Sequence, residues 1–255
     1  MIITFTNQKG GVGKTTSAAN VGACLASKKK NVLYIDLDGQ ANLTYCVGLP
    51  PAEQTAFDAM RGKLSAGEGL SGLIQKTPYG DAVASGPSMM TAEAMGRGVP
   101  PDALRNLLKE MRLLYDYIII DTPPSLGLMS VNALTAADAV VIPATADLFS
   151  FQGISQLAET IDAVHANTNP GLFVAGILLT QYDARTSITK AYTDYIAEQA
   201  AGMGSAVFGT KIRKCTALRE SQTAQKSVID YSPRSNATKD YTAFTKELLA
   251  ELKGR

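Results

Sequence analysis

The sequence predicts an α/β fold, a mostly parallel twisted sheet with helices on both faces, of the P-loop nucleotide-binding kind. Three observations carry this. Short apolar, β-rich runs alternate with helical patterns of about 12 to 20 residues, as βαβ units require. Runs such as Tyr117-Ile118-Ile119-Ile120 are apolar at every position, which suits strands covered on both faces. A glycine-rich turn ending in Gly13-Lys14-Thr15-Thr16 joins the first strand to the first helix.

Taken in order, strands are expected over residues 2–7, 31–36, 117–121, 139–143, 172–179 and 206–209. Helices are expected over 15–27, 102–114, 150–165, 188–200, 216–225 and 235–253. Between about 45 and 100 the periodicity is weak and Gly, Pro and Ser are frequent, so this span reads as a variable insertion. The last helix carries Tyr241, Phe244, Leu248, Leu249 and Leu252 on one face; with Glu247 and Glu251 opposed to anionic lipid, that stripe reads as core packing, not a membrane anchor. One domain spanning 1–255 is expected, since a chain of this length buries enough surface for one core.

Composition narrows the chemistry. Apolar residues make up 45% and charged residues 18%, with no apolar run long enough to cross a bilayer, and the N-terminus has no signal-like h-region. The expected location is the cytoplasm. Cys24, Cys46 and Cys215 are widely spaced with no C-x-x-C pair, which argues against zinc or an iron–sulfur cluster. The single histidine, His165, stands at a helix end before a turn, so a His-based catalytic dyad is excluded.

The loop Lys9-Gly10-Gly11-Val12-Gly13-Lys14-Thr15-Thr16 is the candidate phosphate site. Glycines let backbone amides approach a phosphate, and the following helix N-terminus adds partial positive charge. Lys14 is placed to bridge the β- and γ-phosphates of ATP, and the Thr15 hydroxyl to ligate Mg²⁺. The usual pattern begins with Gly where this chain has Gln8. Downstream, Asp36 and Asp38 close one strand and Asp121 closes another, and ligand groups gather at strand carboxyl ends in open α/β sheets. Asp121 follows a buried strand, as a carboxylate that holds Mg²⁺ through water does.

These motifs resemble the deviant Walker A group of ATPases, the ParA and MinD relatives, and the likeness runs through Asp36-Leu37-Asp38-Gly39-Gln40-Ala41-Asn42, Asp121-Thr122-Pro123-Pro124-Ser125 and Tyr231-Ser232-Pro233-Arg234-Ser235. It is closest to the short ParA/Soj subtype without an N-terminal operator-binding domain. The resemblance implies an ATP hydrolase that forms a homodimer with ATP, binds DNA without sequence preference and is stimulated by a ParB-like adaptor protein at the nucleoid. It implies that Lys9 reaches the phosphates of the partner's nucleotide, that Asp38 positions the attacking water and that Asp36 acts close to Mg²⁺. Lys9, Lys14 and Asp38 are then the catalytic set; residues 9–16 bind the nucleotide; Thr15, Asp36 and Asp121 serve the metal. The alternative is a MinD-like or organelle-positioning ATPase working on membrane or protein cargo, and a third is a P-loop synthetase or a nitrogenase-reductase-like electron carrier, the latter disfavoured by the lack of paired cysteines.

Two departures matter. Relatives carry I-P-R-N where this chain has Ile212-Arg213-Lys214-Cys215, so the Pro and Asn that contact adenine there are replaced. Arg185 matches a DNA-contacting arginine of the family, but the second such position holds Ala217, leaving Lys214 or Arg219 to substitute. Residues 209–239 carry seven basic and two acidic side chains in a chain of net charge +1, a local surplus of five that makes Lys211, Arg213, Lys214 and Arg219 the remaining candidates for contacts to DNA phosphates.

Overall fold

The computed structural model describes residues 1–64 and 69–254. In chain order the strands are β1 (Ile2–Phe5), β2 (Val32–Asp36), β3 (Ile74–Thr77), β4 (Gly80–Val83), β5 (Tyr117–Asp121), β6 (Ala139–Ala144) and β7 (Phe173–Leu179). The helices are α1 (Lys14–Ser27), α2 (Asn42–Cys46), α3 (Ala56–Met60), α4 (Pro87–Met90), α5 (Ala92–Met95), α6 (Ala103–Leu107), α7 (Met111–Leu114), α8 (Leu128–Ala136), α9 (Leu148–Asn167), α10 (Ser187–Gly202), α11 (Thr216–Thr223), α12 (Val228–Tyr231) and α13 (Asn236–Lys253). They surround one seven-stranded sheet of order β3-β4-β2-β5-β1-β6-β7, parallel throughout except for the edge pair β3 and β4.

Alternation along the strands divides the apolar residues between two faces. Ile118 and Ile120 join Leu33, Ile35, Ile142 and Ile177 under α8 and α9. Ile119 joins Phe5, Tyr34, Val141 and Leu178 under α1 and α13. The expected double covering is therefore present, and the α13 stripe is core: Tyr241, Phe244, Leu248 and Leu252 are buried and Leu249 packs at the edge of the same cluster.

Several expected boundaries change. The span from 45 to 100, apart from 65–68, which lie outside the described residues, contains α3 and the β3–β4 hairpin. The hairpin turn needs Gly80, whose φ is +129° and whose added Cβ would stand 2.5 Å from the Val32 carbonyl oxygen. The helix expected over 102–114 divides into α6 and α7, with Leu104, Leu108 and Met111 packed on the sheet. Residues 206–209 form only an isolated bridge, Ile177 to Val207, on the β7 edge. α8 lies where the periodicity predicts no helix.

Parallel pairing sets the site. Asp36 and Asp121 are register partners on β2 and β5, and Phe5 of β1 pairs with Asp121 on its other side. All three strands therefore deliver their carboxyl ends to one place, where the β1–α1 loop begins.

A candidate nucleotide site at the strand carboxyl ends

The β1–α1 loop is braced by its carbonyl oxygens. The Lys14 ammonium donates to the Lys9 carbonyl at 3.2 Å, the Gln181 amide to that of Gly11 at 2.7 Å, and the Thr180 hydroxyl to that of Val12 at 2.7 Å. Gly11 and Gly13 have φ of +74° and +84°, in the left-handed region that a side chain disfavours. With the carbonyls engaged in this way, the backbone amides of residues 10–16 donate to no protein acceptor among the described residues. They border a cavity of about 630 Å³ lined by Gly10, Gly11, Gly13, Lys14, Thr15, Thr16 and Asp38 on one side and by residues 212–215, Leu218 and Gln222 on the other. Unpaired amides at a helix N-terminus form an anion site.

The acids lie against this loop. The Thr15 hydroxyl donates to Asp121 Oδ2 at 2.6 Å, while Asp121 Oδ1 is buried with no partner. Burial and the adjacent Asp36 push the Asp121 carboxyl well above the usual carboxylate range. Asp36 has other commitments: Oδ1 accepts the Asp38 amide at 3.1 Å, and Oδ2 accepts both the amide and the hydroxyl of Thr44 at 2.8 and 2.7 Å. Burial raises its pKa to about 6 against those hydrogen bonds. Asp36 thus anchors α2 and is not among the residues lining the cavity. Asp38 lines it, its Oδ1 accepting the Gln40 amide at 3.0 Å. Burial lowers the pKa of Lys14, opposed by Asp121 and Asp38. Among the described residues no group of three His, Cys, Asp or Glu side chains could hold a metal by itself. Thr15 and the unpartnered oxygen of Asp121 suit an ion whose remaining ligands are water and phosphate.

Known proteins resemble this chain over much or all of its length. A family model described as an AAA domain matches residues 1–174. The sporulation initiation inhibitor protein Soj of Bacillus subtilis is 38% identical over 98% of both chains. The chromosome-partitioning ATPase Soj of Thermus thermophilus is 35% identical over 98% of this chain and 96% of its own. The chain belongs to the ParA/Soj family of partition ATPases. Among solved structures, cobyrinic acid a,c-diamide synthase from Mycobacterium smegmatis with bound ADP and magnesium superposes with a TM-score of 0.82 at 30% identity, over 100% of this chain and 96% of that one.

In this ParA/Soj ATPase the signature lysine is held within its own chain. The Lys9 ammonium lies 2.8 and 2.7 Å from the two oxygens of Asp147 and 3.1 Å from the Thr145 hydroxyl. Asp147 caps α9 through the Ser150 amide, so it serves helix and lysine together. Sequence reading finds Lys9 but not Asp147, Thr44 or Gln181. Gln181 was accessible to it, because it lies two residues past β7 at the end of the sheet where ligands gather.

The five basic candidates do not form one open patch. Arg185 is exposed but pairs in fork geometry with Asp183, Nη2 to Oδ2 at 2.7 Å. Arg213 pairs with Asp240 at 2.6 Å, an acid just beyond the span in which the charge surplus was counted. Lys211, Lys214 and Arg219 form no ion pair among the described residues. Arg213, Lys214 and Arg219 also line the cavity beside the glycine-rich loop. His165 is exposed in the last turn of α9. The three cysteines are free, and the Cys46 thiol, beside the cavity, is pushed up to about 12 by burial. No described helix is long and apolar enough to cross a membrane.

Proposed function

We propose that this chain is a nucleotide-switched partition ATPase that dimerises around MgATP, binds DNA in that state without sequence preference and is reset by hydrolysis. The observation that carries the reading is the row of backbone amides at residues 10–16 with no protein acceptor, opening on a cavity beside Lys14. Such a row is unfavourable unless water or an anion satisfies it. In the solved Mycobacterium smegmatis structure ADP and magnesium are bound, and the likeness extends over this whole chain.

Within this reading residues 10–16 cradle the phosphates and Lys14 spans the β- and γ-phosphoryl groups. Thr15 and Asp121 hold Mg²⁺, which supplies charge neutralisation to the phosphates when bound. Asp36 acts on that region only through its charge and through α2. Asp38, at the cavity wall, orients the water that attacks the γ-phosphate. Lys9 leaves Asp147 to reach the nucleotide of a second copy. DNA phosphates are met by Lys211, Lys214 and Arg219, and by Arg185 and Arg213 in competition with Asp183 and Asp240. A ParB-like adaptor stimulates hydrolysis, and the chain works at the nucleoid.

Light scattering of an Asp38→Ala variant, which should bind ATP and hydrolyse it poorly, is the test. A dimer is expected with MgATP and a monomer with ADP. A persistent monomer at saturating ATP contradicts the switch. A solved relative is named as a synthase, so a third reading remains open to assay; turnover of a small carboxylic acid to an amide with ATP would displace the partition role.

A further inference from the structure

One contact at the cavity joins the candidate phosphate loop to a residue that no sequence motif singles out. The Gln222 carboxamide Nε2 donates to the Thr16 hydroxyl oxygen at 2.8 Å, joining residues 206 positions apart. Both side chains line the cavity. Thr16 stands in the first turn of α1, beside Thr15, and its own hydroxyl proton goes to no acceptor among the described residues. Gln222 stands in the last turn of α11, a helix anchored by buried Ala217 and Ser221 and bearing exposed Arg219.

A hydroxyl offers one proton and two lone pairs. With one lone pair occupied by the Gln222 amide, the hydroxyl rotor is restricted, and an amide donor cannot take the proton. That proton is left for an acceptor in the cavity, where the adjacent backbone amides already favour an anion. We infer that Gln222 is a positioning residue: it orients the Thr16 hydroxyl as a donor to a nucleotide phosphate oxygen and so ties α11 to the occupied site. The inference rests on the nucleotide reading above and adds to it a residue and a route from the phosphates to α11, which carries Arg219.

The test is binding of MgADP, which needs no second copy of the chain, followed by calorimetry on the full-length protein. Gln222→Met keeps the length of the side chain and loses the donor. It should weaken MgADP by about five- to tenfold, the net value of one hydrogen bond. Gln222→Glu presents only acceptors and draws the Thr16 proton to itself, so it should weaken binding further than Gln222→Met. Thr16→Val should also weaken binding, and adding Gln222→Met to it should cost nothing more, because the two act as a unit. Hydrogen exchange supplies a readout that a merely structural role would not move: MgADP should slow exchange over residues 216–223 in the wild type and not in Gln222→Met. Should Gln222→Met unfold, Gln222→Asn, with the same groups one methylene shorter, is expected to show the same loss. Wild-type affinity in both variants, or additive losses in the double variant, overturns the role of Gln222 alone. A wild-type chain that binds no MgADP overturns the nucleotide reading together with this role.

Discussion

Lys9 and Asp147 are both part-exposed, with 27% and 39% of their side chains accessible, so their ion pair contributes at most about 1 kcal/mol to stability. That small value suits a contact that must break if Lys9 is to serve a partner. Asp147→Asn keeps an acceptor for the α9 cap and removes the charge that holds Lys9. It should leave thermal stability within about 1 kcal/mol of wild type. By light scattering, its ATP-dependent dimer should form at lower protein concentration than the wild-type dimer; an unchanged midpoint would show that the pair does not restrain Lys9. The two loop lysines have separate surroundings and should separate in function. Lys14 is buried against the loop carbonyl and the acids, whereas Lys9 is absent from the cavity wall. Lys14→Ala should abolish ATP binding, while Lys9→Ala should retain it and lose hydrolysis; equal loss of affinity in a fluorescent-nucleotide titration would contradict the division. Lys14 was readable from its place after Gly13, and Lys9 from the resemblance to the deviant Walker A motif. The partner that holds Lys9 was not, because 138 residues separate it from Asp147.

At the scale of elements, the loop and α1 work because two glycines do different things. Gly13 supplies the left-handed turn into the helix, and any side chain there strains the loop. Gly22, in the middle of α1, allows the helix to lie on β2: an added Cβ would stand 2.3 Å from the buried ring of Tyr34. Alanine is the better helix former by about 1 kcal/mol, but overpacking against a fixed ring costs about 1 to 3 kcal/mol. The clash should win, and Gly22→Ala should lower stability in urea unfolding; a neutral or stabilised variant would mean that α1 can move off β2 freely. The elements that escaped sequence reading have reasons of the same kind. α8 is buried on nearly every side, so its composition shows no 3.6-residue alternation of apolar and polar residues. The β3–β4 strands are four residues each around Pro78 and Gly80, and so short a pair reads as loop until the edge of the sheet is there to receive it.

For the whole molecule, the proposed binding to DNA has to come from a chain of net charge +1. Two of its five candidate cations are already paired with Asp183 and Asp240, so a single copy offers a weak field. A dimer that presents two such surfaces neutralises twice the phosphates, and each adds about 0.9 to the log–log salt slope. Anisotropy on two unrelated duplexes over a salt series should therefore show binding with MgATP that is tighter and more salt-dependent than with ADP. Arg185→Ala should flatten that slope and lower affinity about equally for both duplexes, since a phosphate contact carries no base information. Affinity indifferent to nucleotide, or confined to one duplex, would favour the MinD-like or organelle-positioning alternative. The sequence by itself determined the sheet, its double covering, the glycine-rich loop between β1 and α1 and the family, because all of these are written locally, in periodicity and in contiguous motifs. Tertiary structure alone decided that Asp36 holds α2, that Asp147 holds Lys9, that Asp240 quenches Arg213 and that Gln222 reaches Thr16. Each of these is a short-range polar contact between distant segments, fixed by strand order and helix packing to within an ångström, and no local pattern in the chain encodes a distance of that kind.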